Sequence, residues 1–318
     1  MKRKINRRGF IEKSALGAAA AGAFLSCEER ALVEKPAGRE SPMREVPLEG
    51  MHYGWIGDLK VSRLICGGNL ISGYSHARDL VYVSPLVRKY NTDEKILDTL
   101  ELCELNGINT VIADPREHPI NIFQRYWKER GGKMQWISES YPTATDLKST
   151  IRTAIDNGAA AVYVQGAAAE RLLDGGDVEV LGRAVEYIRG QGMPGGIGAH
   201  RLEVVQATIE TGIEPDFYMK TLNHGKYWSA RHPEKHDNIW AEKPAQTVEV
   251  MKQVEVPWIA FKTLAAGAIR PREGLRFVFE KGADFAVVGM FDWQVRENVQ
   301  HTLELMDQEL HRERPWRA

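Results

Sequence analysis

Asn106-Gly107-Ile108-Asn109, Asn157-Gly158-Ala159-Ala160, Thr211-Gly212-Ile213-Glu214 and Lys281-Gly282-Ala283-Asp284 stand at four separated places in this chain of 318 residues. Each leads into a run of branched or aromatic residues. Glycine enters the left-handed conformation that ends a helix at little cost, so each tetrapeptide reads as a helix stop feeding a strand. Working outward, strands are expected at 61–67, 109–113, 134–138, 160–164, 196–199, 217–220, 258–262 and 285–289. Amphipathic stretches lie between them, the clearest at 94–106 with Ile96, Leu97, Leu100 and Leu105, and others at 146–157 and 202–211. Eight alternating units predict the α/β class and a closed (β/α)8 TIM barrel over 56–310; a doubly wound sheet more often uses five or six strands.

Hydrophobic residues make up 43% and charged residues 27% of the chain, enough apolar material for a packed core. The formal net charge of −1 leaves no overall pull toward nucleic acid or a membrane surface. Basic residues gather at the start, and Asn6-Arg7-Arg8-Gly9-Phe10-Ile11 resembles a twin-arginine export motif. The apolar run after it, 15–25, is shorter than the roughly 20 residues a spanning helix needs. Residues 1–27 are therefore expected to be a signal peptide handled by the twin-arginine translocase. Residues 28–55, rich in Glu, Arg and Pro, are expected to be a tether. The protein is expected in the periplasm or cell envelope. It would meet the membrane only through the signal or through lipid on Cys27, which follows Phe24-Leu25-Ser26 as in a lipoprotein cleavage site. Cys66 and Cys103 sit in apolar surroundings and read as buried thiols.

Several stretches resemble the aldo/keto reductases. Lys60 to Asn69 is similar to their first strand, and Asn106 to Asp114 to their second, which ends in the Asp that supports the catalytic Tyr. Gly198-Ala199-His200 and the stretch from Asp216 to Asn223 are similar to the fifth and sixth strands. Phe261 to Ile269 resembles the seventh-strand stretch of the ferredoxin-linked branch, and Val288 to Asn298 the segment that holds adenine. The resemblance spans about 55–306. It implies a nicotinamide nucleotide, NAD(P), near Gly289, Gln294, Glu297 and Asn298, with Asp114 and Lys262 at the reacting centre. The family's Tyr, Lys and His are replaced: Pro115-Arg116-Glu117 follows Asp114, Ser138-Glu139-Ser140 ends the third strand, and Gln165-Gly166 ends the fourth.

Residues at the carboxyl ends of barrel strands converge on one open face. Here they are Asn69, Asp114, Glu139, Gln165, His200, Lys220, Asn223, His224, Lys262 and Asp292. A core cannot hold so many unpaired polar groups, so a polar small-molecule substrate is expected. Asp114, Glu139, His200 and Lys262 are the catalytic candidates; Gln165, Lys220, Asn223 and His224 are the substrate-binding ones. Glu139 beside Asp114 would hold its proton to higher pH, or it would pair with Lys220 or Lys262. His200 would act as a base, a metal ligand or a helix cap. Asp114, Glu139, His200 and His224 together have the chemistry to bind a divalent metal. The long loop 226–244, with Tyr227, Trp228, His232, His236 and Trp240, would form a lid, a substrate platform or a plain surface loop. The sequence leaves three functional readings. One is an exported oxidoreductase acting on a small carbonyl or sugar-like substrate. Another is a carbohydrate-directed lyase, isomerase or hydrolase, with or without a metal. The third is a barrel that binds a ligand without turning it over.

Overall fold

The computed structural model describes residues 46–76, 80–227, 230 and 241–318, in one compact unit from Val46 to Ala318. The expected signal with Cys27, most of the expected tether, and Trp228, His232, His236 and Trp240 of the long loop lie outside the described residues.

The described chain opens with an antiparallel hairpin, β1 (Tyr53–Ile56) and β2 (Leu59–Ser62). Ile56 pairs with Leu59, so Gly57-Asp58 is a two-residue turn, and Gly57 supplies its positive φ of 57°. The expected single strand 61–67 is thereby corrected. Ser62 ends the hairpin, the chain bends at Arg63, and the barrel's first strand is β3 (Leu64–Gly67). Ser62 stabilises the bend by donating from its hydroxyl to Leu64 O at 2.6 Å.

The other seven barrel strands fall where expected: β4 (Thr110–Ala113), β5 (Gln135–Ser140), β6 (Ala161–Val164), β7 (Gly195–Ala199), β8 (Phe217–Thr221), β9 (Trp258–Phe261) and β10 (Phe285–Gly289). They close in the order β10-β3-β4-β5-β6-β7-β8-β9, every barrel pair parallel. The surrounding helices are α1 (Val83–Tyr90), α2 (Asp93–Leu105), α3 (Glu117–Glu129), α4 (Ser149–Asp156), α5 (Gly166–Gly175), α6 (Glu179–Arg189), α7 (Leu202–Glu210), α8 (Pro244–Lys252), α9 (Pro271–Glu280) and α10 (Asp292–Met306). The four glycine stops all adopt positive φ, at Gly107, Gly158, Gly212 and Gly282. A β-carbon at these positions would be strained, and this is why one tetrapeptide pattern recurs before alternate strands.

Two apolar cores result. Ile65, Ile112, Ile137, Tyr163, Phe217, Met219, Ile259, Phe285 and Val287 fill the barrel lumen, and Ile56 and Val61 of the hairpin join them at its amino end. The larger core lies between strands and helices. Because side chains alternate along a strand, the lumen residues decide which side chains reach the mouth. Asp114 follows Ile112 by two, Glu139 follows Ile137, Gln165 follows Tyr163, and His200 follows Gly196 and Gly198.

Candidate active site

Two groups of polar side chains form at the carboxyl end. The first centres on Asp114 and Glu139. Asp114 is buried and held by Arg116, which donates from Nε to Oδ1 at 2.6 Å and from Nη2 to Oδ2 at 3.0 Å. The Ser72 hydroxyl donates to Oδ2 as well. Burial alone would raise the Asp114 pKa, but these bonds outweigh it and hold the carboxyl below its ordinary value. Arg116 in turn donates to the Tyr74 hydroxyl at 2.9 Å and lies over the Tyr74 ring.

Glu139 differs from its neighbour. Its carboxylate accepts from Tyr141 at 2.6 Å and from Tyr163 at 3.2 Å. Desolvation raises its pKa, the Asp114 charge adds to the rise, and the two tyrosine bonds do not cancel it. The pKa values of two interacting carboxyls are thus driven apart, Asp114 downward and Glu139 upward. The expectation that Glu139 would pair with Lys220 or Lys262 gives way to this tyrosine cradle.

The second group centres on His200, buried after β7. Its Nδ1 lies 3.3 Å from Glu170 Oε1. That oxygen already accepts the backbone N–H groups of His200 at 2.9 Å and Arg201 at 2.8 Å, so the ring contact is poorly aligned. Burial lowers the His200 pKa more than Glu170 raises it, and Lys262 and Lys220 push the same way as burial, so the neutral ring is favoured. Gly166 makes room for the ring, since a β-carbon there would lie 2.8 Å from Nδ1. Lys262, at φ 56°, brings Nζ to 2.9 Å from His76 Nε2.

The remaining candidates are not gathered there. Lys220 is corrected by strand parity: it shares the outward face of Tyr218, donates to His200 O at 2.7 Å and Thr221 O at 3.1 Å, and is buried beneath the helical layer. Burial lowers its pKa to about 8. Gln165 caps α5, its side chain accepting Ala168 N–H at 3.1 Å. Asn223 ties two loops, donating to Lys262 O and accepting Gly225 N–H. His224 packs edge-on against Phe277, with Nε2 3.0 Å from Glu273. It lines a groove of about 750 Å³ between α8 and α9. Asp292 pairs with Lys95 at 2.7 Å. Among the described residues no three His, Cys, Asp or Glu side chains converge to hold a metal ion, so the expected set of Asp114, Glu139, His200 and His224 does not form one.

The residues assigned to a nicotinamide nucleotide lie on α10 and at the end of β10. Gln294 accepts Phe291 N–H at 3.1 Å, Asn298 is buried, Glu297 is 3.6 Å from His301, and Gly289 pairs with Gly67 in the barrel. In the loop after β9, the N–H groups of Ala265, Gly267, Ala268 and Ile269 donate to the loop's own carbonyls.

Several solved structures resemble this chain. The likeness is one of fold. Two structures of a protein from Pseudomonas aeruginosa, provisionally assigned as an aldo-keto reductase, superpose with a TM-score of 0.55. They share 16% and 17% identity and cover 80% of this chain and 95% of theirs. A truncated 3-deoxy-D-arabino-heptulosonate 7-phosphate synthase from Thermotoga maritima, also similar in structure, gives 0.50 at 13% identity over 81% of this chain and 92% of its own. No family profile and no curated protein matches the sequence.

Sequence reasoning missed Ser72, Arg116, Tyr141, Tyr163 and Glu170. Tyr163 had a usable signal, since it lies two residues before Gln165 on the same strand face. Glu170 had none, because its role depends on α5 packing against β7.

Proposed function

We propose that this barrel is an acid–base enzyme acting on a small carbonyl-bearing, sugar-like substrate, with Glu139 as the proton carrier. The observation that carries this reading is the opposite drift of two neighbouring carboxyls at the mouth: burial and the Asp114 charge raise the Glu139 pKa against the bonds from Tyr141 and Tyr163, while Arg116 and Ser72 lower that of Asp114. A carboxylic acid that stays protonated toward neutral pH is suited to donate to a carbonyl oxygen. His200, neutral through burial and two strands further round the rim, is the available base. If His200 takes a proton from the carbon beside the carbonyl while Glu139 gives one to the oxygen, an enediol forms. Reversal at the neighbouring carbon completes an isomerisation with no redox change.

The test is proton exchange in D2O, followed by NMR over a panel of small aldoses, ketoses and hydroxyketones without nucleotide. Wild-type protein should wash deuterium into the carbon beside the carbonyl, and Glu139→Gln should lose about 10²–10⁴-fold in rate. Absence of exchange across the panel would sink the proposal. A second reading, reduction of the same kind of carbonyl with NAD(P)H, is supported by the sequence resemblance at Val288 to Asn298 and by the likeness in fold to structures assigned as aldo-keto reductases. It requires saturable quenching of NADPH or NADH fluorescence, and loses its support if none occurs at millimolar protein and nucleotide.

A further inference from the structure

The opposite end of the barrel holds a cluster of charge that the mouth does not use. A cavity of about 180 Å³ opens there; Met306 and Leu310 give its wall an apolar part, and His52, Arg63, Arg312 and Trp316 the charged and aromatic part. Arg63 is 7% exposed and the Arg312 side chain 7%, and Arg314 beside them is fully buried. The buried carboxylate of Asp284 lies among these groups but closely pairs with one of them, and Arg63 also donates from Nη2 to Ala318 O at 3.0 Å. Arg314 takes it at 2.6 Å, whereas Arg312 comes no nearer than 3.7 Å and Arg63 bonds its backbone carbonyl instead. Arg312 spends its donors on the carbonyls of Phe279, Ala283 and Gly282, and its Nε, buried, has no hydrogen-bond partner among the described residues. The Trp316 ring lies between two of these cations, 4.0 Å from Arg63 and 3.3 Å from Arg312, and holds both at the cavity wall.

A buried cation with no close carboxylate, as Arg312 is here, is costly unless a further anion pairs with it. Burial lowers both Arg63 and Arg312 to about 10, and for Arg312 the neighbouring guanidiniums add to the fall. Guanidinium groups are matched in shape to planar or tetrahedral oxyanions, which they bind through paired N–H donors.

We infer that the amino-end cavity is a binding site for a small oxyanion, a phosphate or carboxylate group, held by Arg63 and Arg312 with His52 at its entrance. Its position places it apart from Glu139 and the substrate end, so binding there does not require the proposed reaction to be correct.

The full-length protein titrated with inorganic phosphate by calorimetry tests this, with acetate as a second arm and potassium chloride at matched ionic strength as control. One site should saturate with phosphate or acetate above the chloride control, and the same binding should persist in Glu139→Gln. Arg312→Gln should weaken it at least tenfold. Because Arg312 also bonds three carbonyls and its loss threatens folding, His52→Glu serves as the second variant. It places a negative charge at the half-exposed entrance, where His52 Nε2 now lies 3.3 Å from Asp307, and it too should weaken binding about tenfold while circular dichroism and cooperative unfolding show the fold retained. No saturable heat beyond chloride, or an affinity that His52→Glu leaves intact, overturns the inference.

Discussion

Glu139 owes its chemistry to what surrounds it, and this can be tested one atom at a time. Tyr141 and Tyr163 both donate to its carboxylate, and each bond favours the anion against the desolvation that favours the acid. Deleting either hydroxyl should raise the Glu139 pKa further. The shorter bond, from Tyr141, should matter more, so Tyr141→Phe should move the titration seen by side-chain carboxyl NMR further upward than Tyr163→Phe. Unchanged or lowered titration in both would remove the cradle from the account. The sign for stability follows. A carboxyl whose pKa is higher folded than unfolded binds more protons in the native state, so stability is greatest at low pH. It falls as pH rises from the ordinary glutamate range through the raised native value. Asp114 has the opposite sign: its contribution is present above the ordinary aspartate range and disappears as pH drops through its lowered native value.

The elements of the barrel were largely legible in the sequence. Gly107, Gly158, Gly212 and Gly282 announced the rhythm because no other residue ends a helix in that conformation so easily. The hairpin of β1 and β2 was not legible, because a run such as Lys60 to Gly67 carries no period that marks where one strand ends and the chain bends toward another. Lys220 was misplaced although counting by two from Met219 would have turned it outward; the residue type outweighed the parity. The tyrosines around Glu139 were hidden for a different reason, since their meeting depends on the register in which Glu139 stands beside Tyr163. The seam between β6, α5 and β7 shows how tightly an element is fixed. At Gly166, in the first turn of α5, a β-carbon would fall 2.8 Å from His200 Nδ1 and 2.9 Å from Cε1. Gly166→Ala should therefore displace the His200 ring and destabilise by about 1–3 kcal/mol, as overpacking does. Combining it with His200→Ala should relieve much of that cost in a thermal-unfolding double-mutant cycle. Strict additivity of the two changes would show that the ring and the glycine do not meet.

At the scale of the whole molecule, closure of the barrel rests on one carboxylate. Asp284 is fully buried just before β10. Its Oδ2 accepts Trp258 N–H at 2.9 Å, from the start of β9, and Arg314 Nη1 at 2.6 Å. Its Oδ1 accepts Arg317 N–H at 2.8 Å, and its carbonyl accepts Arg63 Nη1 at 3.0 Å, next to β3. The group therefore joins the last two strands, the first strand and the final segment of the chain. A buried ion pair is weak evidence of net stabilisation, because desolvation offsets attraction; removing one partner is another matter, since the other charge is left buried alone. Asp284→Asn keeps the size and one acceptor oxygen but strands Arg314, and should cost about 3–5 kcal/mol. That is a fall in unfolding midpoint on the order of ten degrees for a domain of this size. Adding Arg314→Met should recover part of the loss, because it withdraws the orphaned cation and fills its space with apolar volume. If thermal unfolding finds Asp284→Asn as stable as the parent, or the double variant worse than the single, the seam is held by strand pairing and lumen packing, and the carboxylate is dispensable.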